Sequence, residues 1–130
     1  MRTIKFRGKL KSNGNWEYGD LLHDNFDACY IYPIEVGDLY KNNEVIPETI
    51  GQFTGLYDCE GKEIFEGDIL RFGNSQSGVC EVKWNEHIAA FCILFYFKDE
   101  IGSRPLGGGV EFAIIGNIHD NPELLKGGEK

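Results

Sequence analysis

Methionine occurs once in these 130 residues, and the four prolines, four cysteines and three histidines are thinly spread. Cys29, Cys59, Cys80 and Cys92 form no C-x-x-C pair, and His23, His87 and His119 form no H-x-x-x-H pair. Such local pairs are the usual mark of zinc and dithiol redox sites, so neither a metal nor a cofactor is expected. Long apolar runs are missing too. The longest, Ile88 to Phe97, has the length of a strand and falls well short of the roughly 20 residues of a membrane helix. No apolar stretch follows Met1, which reads as a chain without a secretory leader, kept in the cytoplasm with its thiols reduced. Cations are outnumbered, thirteen Lys and Arg against twenty-one Asp and Glu, for a formal net charge of −8. Non-specific nucleic-acid binding runs on counterion release by Lys and Arg, and this balance disfavours it. The one basic strip is Arg2, Lys5, Arg7, Lys9 and Lys11. Its every-second-residue spacing from Lys5 onward reads as the solvated face of a strand. No serine lies in a G-x-S-x-G elbow, and no segment sustains a 3.6-residue apolar period.

Aromatics and glycines are what the chain does have: nine Phe, six Tyr, two Trp and seventeen Gly. Ile4 and Phe6 alternate with Thr3, Lys5 and Arg7, the pattern of a half-buried strand. Asn13-Gly14 is a strong hairpin signal, and Trp16 to Leu22 is the returning strand. Residues 28–33 form a β-rich run stopped by Pro33, and Asn42-Asn43 marks a turn. In the run 50–57, Gly51 and Gly55 point to a bulge, a bend or a close backbone approach. Gly61 suits a short hairpin loop, and Glu66-Gly67 a tight turn before Asp68 to Phe72. Residues 79–84 alternate, and the continuous run from Ile88 fits a strand buried on both faces. Residues 110–118 close the sheet. Asn121 and Pro122 then suit the N-cap and first position of a single helical turn. Short strands separated by turn signals indicate an all-β barrel or sandwich.

The run Pro47-Glu48-Thr49-Ile50-Gly51-Gln52-Phe53-Thr54-Gly55-Leu56-Tyr57-Asp58 continues through Gly61-Lys62-Glu63-Ile64-Phe65-Glu66-Gly67-Asp68-Ile69. It resembles the signature of the YopX family, small proteins found mostly in bacteriophages and prophages. Ile4 to Gly8, Trp16 to Leu21 and Ile115 to Leu125 resemble that family's ends. The resemblance implies an all-β fold with an N-terminal β lobe, residues 1–58, followed by a small SH3-like barrel, residues 59–125. Residues 126–130 are expected to be a disordered tail. It also implies a phage-derived origin in a bacterial host, and it implies no activity.

The candidate binding surface comprises Trp16, Tyr18, Gln52, Thr54, Glu66, Asp68 and His119. Trp16 and Tyr18 share a strand face and suit a protein interface, where Tyr and Trp are enriched. Aromatics can also stack on bases. Gln52 and Thr54 share a face and suit a groove. Glu66 and Asp68 would share a face if both lay in one strand, and paired carboxylates can do acid–base work. Against that, Asp68 after Gly67 is ordinary turn chemistry, bonding nearby backbone N–H groups. His119, beside Asp120, is the best-placed histidine. Gly107-Gly108-Gly109 precedes a strand and has no Lys beside it, so it is no phosphate cradle. The favoured function is a protein-binding or self-assembling module whose partner is a second copy or a host or phage protein, with no membrane contact. The alternatives are a nucleic-acid-binding module using the basic strip, and a hydrolase using Glu66, Asp68 and His119.

Overall fold

The computed structural model describes residues 2–33, 42–72, 78–97, 100–107 and 112–127. Much of the segment after Pro33, the polar loop at 73–77, and Gly108 and Gly109 fall outside the described residues. The described chain is almost wholly β, as the period-two patterns require. It divides into two compact units, Met1–Phe53 and Thr54–Lys130. The division lies inside a strand; the sequence reading placed it at the turn that follows.

In the first unit, β1 (Phe6–Lys9) and β2 (Trp16–His23) form the expected hairpin, with Phe6 opposite Gly19 and Lys9 opposite Trp16. Of Asn13 and Gly14, only Gly14 takes positive φ, at 74°. The loop is therefore not the two-residue type in which both central residues do so. Instead, the Asn13 side chain accepts the Asn15 N–H at 2.9 Å. β3 (Cys29–Tyr32) and the two-residue β4 (Glu44–Val45) extend the sheet in the order β4-β3-β2-β1. A 3-10 turn, Pro47–Thr49, then leads to β5 (Gly51–Tyr57), whose first residues pair with β1. Cys29, Ile31 and Val45 are buried, with Phe6, Leu10, Leu21 and Ile50 packed around them. Gly8 lies beneath this cluster, where a Cβ would come within 3.1 Å of Ile31 and 3.2 Å of Val45. Two polar groups tie the cluster down. Asn43 Nδ2 donates to the Ile31 carbonyl at 2.8 Å, and Thr49 Oγ1 accepts the Lys9 N–H at 2.8 Å.

In the second unit, β6 (Glu63–Phe65) and β7 (Asp68–Phe72) flank the Glu66-Gly67 turn. Then follow β8 (Val79–Asn85), β9 (Ala90–Phe97), β10 (Glu100–Pro105), β11 (Phe112–Asn117) and the short helix α1 (Glu123–Gly127). β7 to β11 form an antiparallel sheet in the order β10-β9-β8-β7-β11. One face carries Leu70, Cys80, Val82, Ile93 and Phe112, which with Ile64 make the larger core. Each such residue contributes about 1.5–3 kcal/mol by leaving water. On β9, Ile93 is buried on this face and Cys92 on the other, which accounts for the strand's unbroken apolar run. That strand starts two positions later than its apolar run, because residues 86–89 turn and Ala89 takes φ 51°. α1 reaches past Leu125 to Gly127, into the segment read as a tail.

Candidate functional site

The sequence-predicted surface residues are dispersed, and register explains why. Trp16 and Tyr18 stand opposite Lys9 and Arg7, whereas Gln52 stands opposite Phe6. Adjacent positions of β1 face opposite sides, so Gln52 lies on the reverse face from the two aromatics. The basic strip is not solvated as expected. Arg7 is buried, and Lys5 and Lys9 are half-buried. The Arg7 guanidinium lies 4.7 Å from the Trp16 ring centre and Lys9 Nζ 5.5 Å from it, while Lys5 Nζ lies 5.7 Å from that of Phe53. Cation–π contact explains why these charges sit on rings rather than in water.

Thr54 is consumed by the backbone. Its hydroxyl donates to the Ile64 carbonyl at 2.8 Å and accepts the Leu56 N–H at 3.2 Å, beside Gly55 at φ 88°. Glu66 lies in the turn rather than in a strand, so it and Asp68 do not share a strand face. Asp68 is buried, and its Oδ2 accepts the Phe65 N–H at 2.8 Å, closing the turn. His119 belongs to a neighbouring turn. The Ile118 N–H donates to the Gly67 carbonyl at 2.9 Å, and Asn117 stands opposite Asp68. The Glu66–Asp68 turn and the His119 turn thus meet at one end of the sheet. Asn117 Oδ1 accepts the His119 and Asp120 N–H groups at 3.0 and 2.9 Å, which fixes the second turn. Among the described residues, no three His, Cys, Asp or Glu side chains converge as a metal site would require.

Two aspartates not singled out as surface candidates organise the most distinctive loops. Asp24 Oδ1 accepts the N–H groups of Phe26 at 2.8 Å and Ala28 at 3.0 Å, and its Oδ2 accepts the Tyr30 hydroxyl at 2.9 Å. The Phe26 N–H, with help from the Tyr30 hydroxyl, holds this carboxyl below the ordinary range. Donating to Asp24 raises the Tyr30 phenol in turn. The loop holds Asp27 at φ 64° and leaves Phe26 89% exposed. Asp58 is buried. Its Oδ1 accepts the Glu60 and Lys62 N–H groups at 2.8 and 2.9 Å, and its Oδ2 reaches the Ile114 N–H of β11 at 3.1 Å. Burial alone would push this carboxyl up; the N–H groups of Lys62, Ile114 and Glu60 outweigh burial and hold it down. Elsewhere, an open groove of about 310 Å³ on β8–β10 is lined in part by Lys83, His87, Cys92, Leu94 and Ser103. Burial pushes the Cys80 thiol up to about 12, so it is a packed hydrophobe and not a nucleophile.

The family model for "YopX protein" matches residues 5–126, nearly the whole chain. The chain belongs to the YopX family. A crystal structure of protein EF1440 from Enterococcus faecalis is similar, with 26% identity and a TM-score of 0.50. That likeness covers 96% of this chain and 99% of the other. No curated protein matches the sequence. The YopX segment quoted above, residues 47–69, spans the Asp58 loop and the Glu66-Gly67 turn. Much of what the family resemblance rests on is therefore turn and edge architecture. Phe26 lies outside the segments whose residues carry the resemblance, and its only sequence signal was an aromatic residue among polar loop residues.

Proposed function

We propose that this YopX protein is a protein-docking module whose contact point is the β2–β3 loop. The presentation of Phe26 carries the reading. Four hydrogen bonds fix the loop: the three to the Asp24 carboxylate, and the Asp24 N–H to the Ala28 carbonyl at 3.0 Å. The result is a phenyl ring held in water, forgoing roughly 2 kcal/mol of burial. Leu22 beside it is 49% exposed. Preorganised aromatic anchors are what docking surfaces use, because little ordering entropy remains to be lost on binding.

Charge narrows the partner. Between Lys11 and Lys41 the sequence has no Lys or Arg, while the loop itself carries Asp24 and Asp27 and the strand before it Glu17 and Asp20. That composition favours a protein pocket with a basic rim and repels anionic lipid and nucleic acid. The family's phage association points to a host or phage protein in the bacterial cytoplasm. Among the described residues no helix is long and apolar enough to cross a membrane. The test is capture from bacterial lysate by the parent and by Phe26→Ser. The variant should keep the parent's circular dichroism and lose the captured protein, and the parent's capture should weaken with salt. Undiminished capture by Phe26→Ser overturns the reading. A nucleic-acid role for Lys5, Arg7 and Lys9 is the lesser alternative, supported by the closeness of Arg7 and Lys9 to Trp16. A mobility shift at low ionic strength would favour it.

A further inference from the structure

We infer that the outer edge of β10 pairs with β10 of a second copy, antiparallel and about a two-fold axis at Gly102. The inference is independent of the Phe26 loop and starts from the two edges of the five-stranded sheet. β11 is sealed. The Ile114 N–H donates to Asp58, and the Phe112 carbonyl accepts the Cys59 N–H at 2.8 Å. β10 has six consecutive pairs with β9 on its inner side, and among the described residues no backbone bond reaches Ile101 or Ser103 from outside.

Parity says which groups face outward. Pro105 stands opposite Cys92, and the next residue, Leu106, donates its N–H to Phe91 at 2.8 Å. Alternate residues of an antiparallel strand bond to opposite sides. Positions 102 and 104 therefore bond to β9, and the N–H and C=O groups of Ile101 and Ser103 point out. Pro105 shares that outward parity, where a missing N–H costs β9 nothing.

Edge strands are ordinarily defended by lysines, bulges or interior prolines. β10 has no lysine, no register shift, and its one proline is terminal. Its arginine is turned away. The Arg104 guanidinium lies 5.3 and 5.4 Å from the Phe72 and Phe95 ring centres, on the core face. Ile101 is 69% exposed on the other face.

Outward groups bond only to outward groups, which leaves few registers. Setting Ile101 opposite Ser103 of the copy, and Ser103 opposite its Ile101, makes two reciprocal pairs. Setting Ser103 opposite Ser103 puts Ile101 against Pro105, which lacks a donor. In the first register the two Ile101 residues become diagonal neighbours on one face and shield each other from water. Such an interface is self-complementary and closes as a dimer.

The experiment uses the full chain with Cys59→Ser, since Cys59 is exposed and the other native cysteines are buried. Gly102→Cys is added; a Cβ there meets only Phe95, at 3.7 Å. Residues facing each other in a non-hydrogen-bonded pair have Cα atoms about 4.5 Å apart, within disulfide range. Mild oxidation should yield a covalent dimer. In sedimentation the parent should dimerise with rising concentration, whereas Ser103→Pro should remain monomeric with unchanged circular dichroism. Should Ser103→Pro fail to fold, Ile101→Lys is to replace it, with the same expected loss of the dimer. Phe26→Ser should leave dimerisation intact. A parent monomeric at every concentration, a dimer indifferent to the β10 variants, or no 102–102 disulfide in the dimer would overturn the inference.

Discussion

The loops at Asp24 and Asp58 are built on the same plan and put to opposite uses. In each, an aspartate accepts the N–H groups two and four residues ahead, and its own N–H donates to the carbonyl four ahead, at 3.0 Å for Asp24 and 2.8 Å for Asp58. In each, the residue three ahead takes positive φ: Asp27 at 64° and Gly61 at 81°. What differs is the second carboxylate oxygen. In the first loop it takes a local tyrosine hydroxyl, and the loop stands free with Phe26 in water. In the second it takes a backbone N–H from β11, and the loop becomes part of the sheet. One local device therefore presents a side chain or seals an edge, depending on what the spare oxygen meets.

Replacing each aspartate is the strongest way to break the parallel. Asp58→Ala should cost about 3 kcal/mol, because it strands the Ile114 N–H and opens the β11 edge. Asp24→Ala should cost clearly less, since its freed N–H groups meet water. Denaturant titration of both variants checks the order, and equal losses would mean the β11 bond contributes little. Acid gives the next effect. The Asp58 carboxyl is held down in the folded chain, so its stabilisation is complete above the unfolded-state value and disappears as pH falls through the lower folded one. Thermal midpoints of the parent should therefore drop with acid below roughly pH 4, and Asp58→Asn should flatten that dependence. Backbone strain gives the smallest effects. Gly61→Ala should cost about 1 kcal/mol at its positive φ. Asp27→Gly should lie within about 0.5 kcal/mol of the parent, since aspartate tolerates the left-handed region better than most residues.

Much of the fold was legible because its causes are local. Alternation marked β1 and β8, the Asn13-Gly14 turn signal marked β2, and Gly61 and Gly67 marked turns that do take positive φ, 81° and 90°. The turn role of Asp68 was legible too, since its partner Phe65 is three residues away. The site was harder to read. Nothing near Lys5, Arg7 and Lys9 announces that rings lie over them, because that depends on which strands flank β1. Gln52 was grouped with the surface aromatics, and only the pairing of β5 on β1 put it on the reverse face.

Taken alone, the order of residues determined that this chain builds strands, where most of them turn, and that its interior is aromatic and aliphatic. Period-two patterning and turn chemistry act over a few positions and need no partner. The tertiary structure alone decided that Asp58 would meet Ile114, 56 residues onward, and that β11 would be closed while β10 kept an outward row of backbone groups. Edges exist only once strands have taken their order in a sheet, and that order is settled by burial across the whole unit.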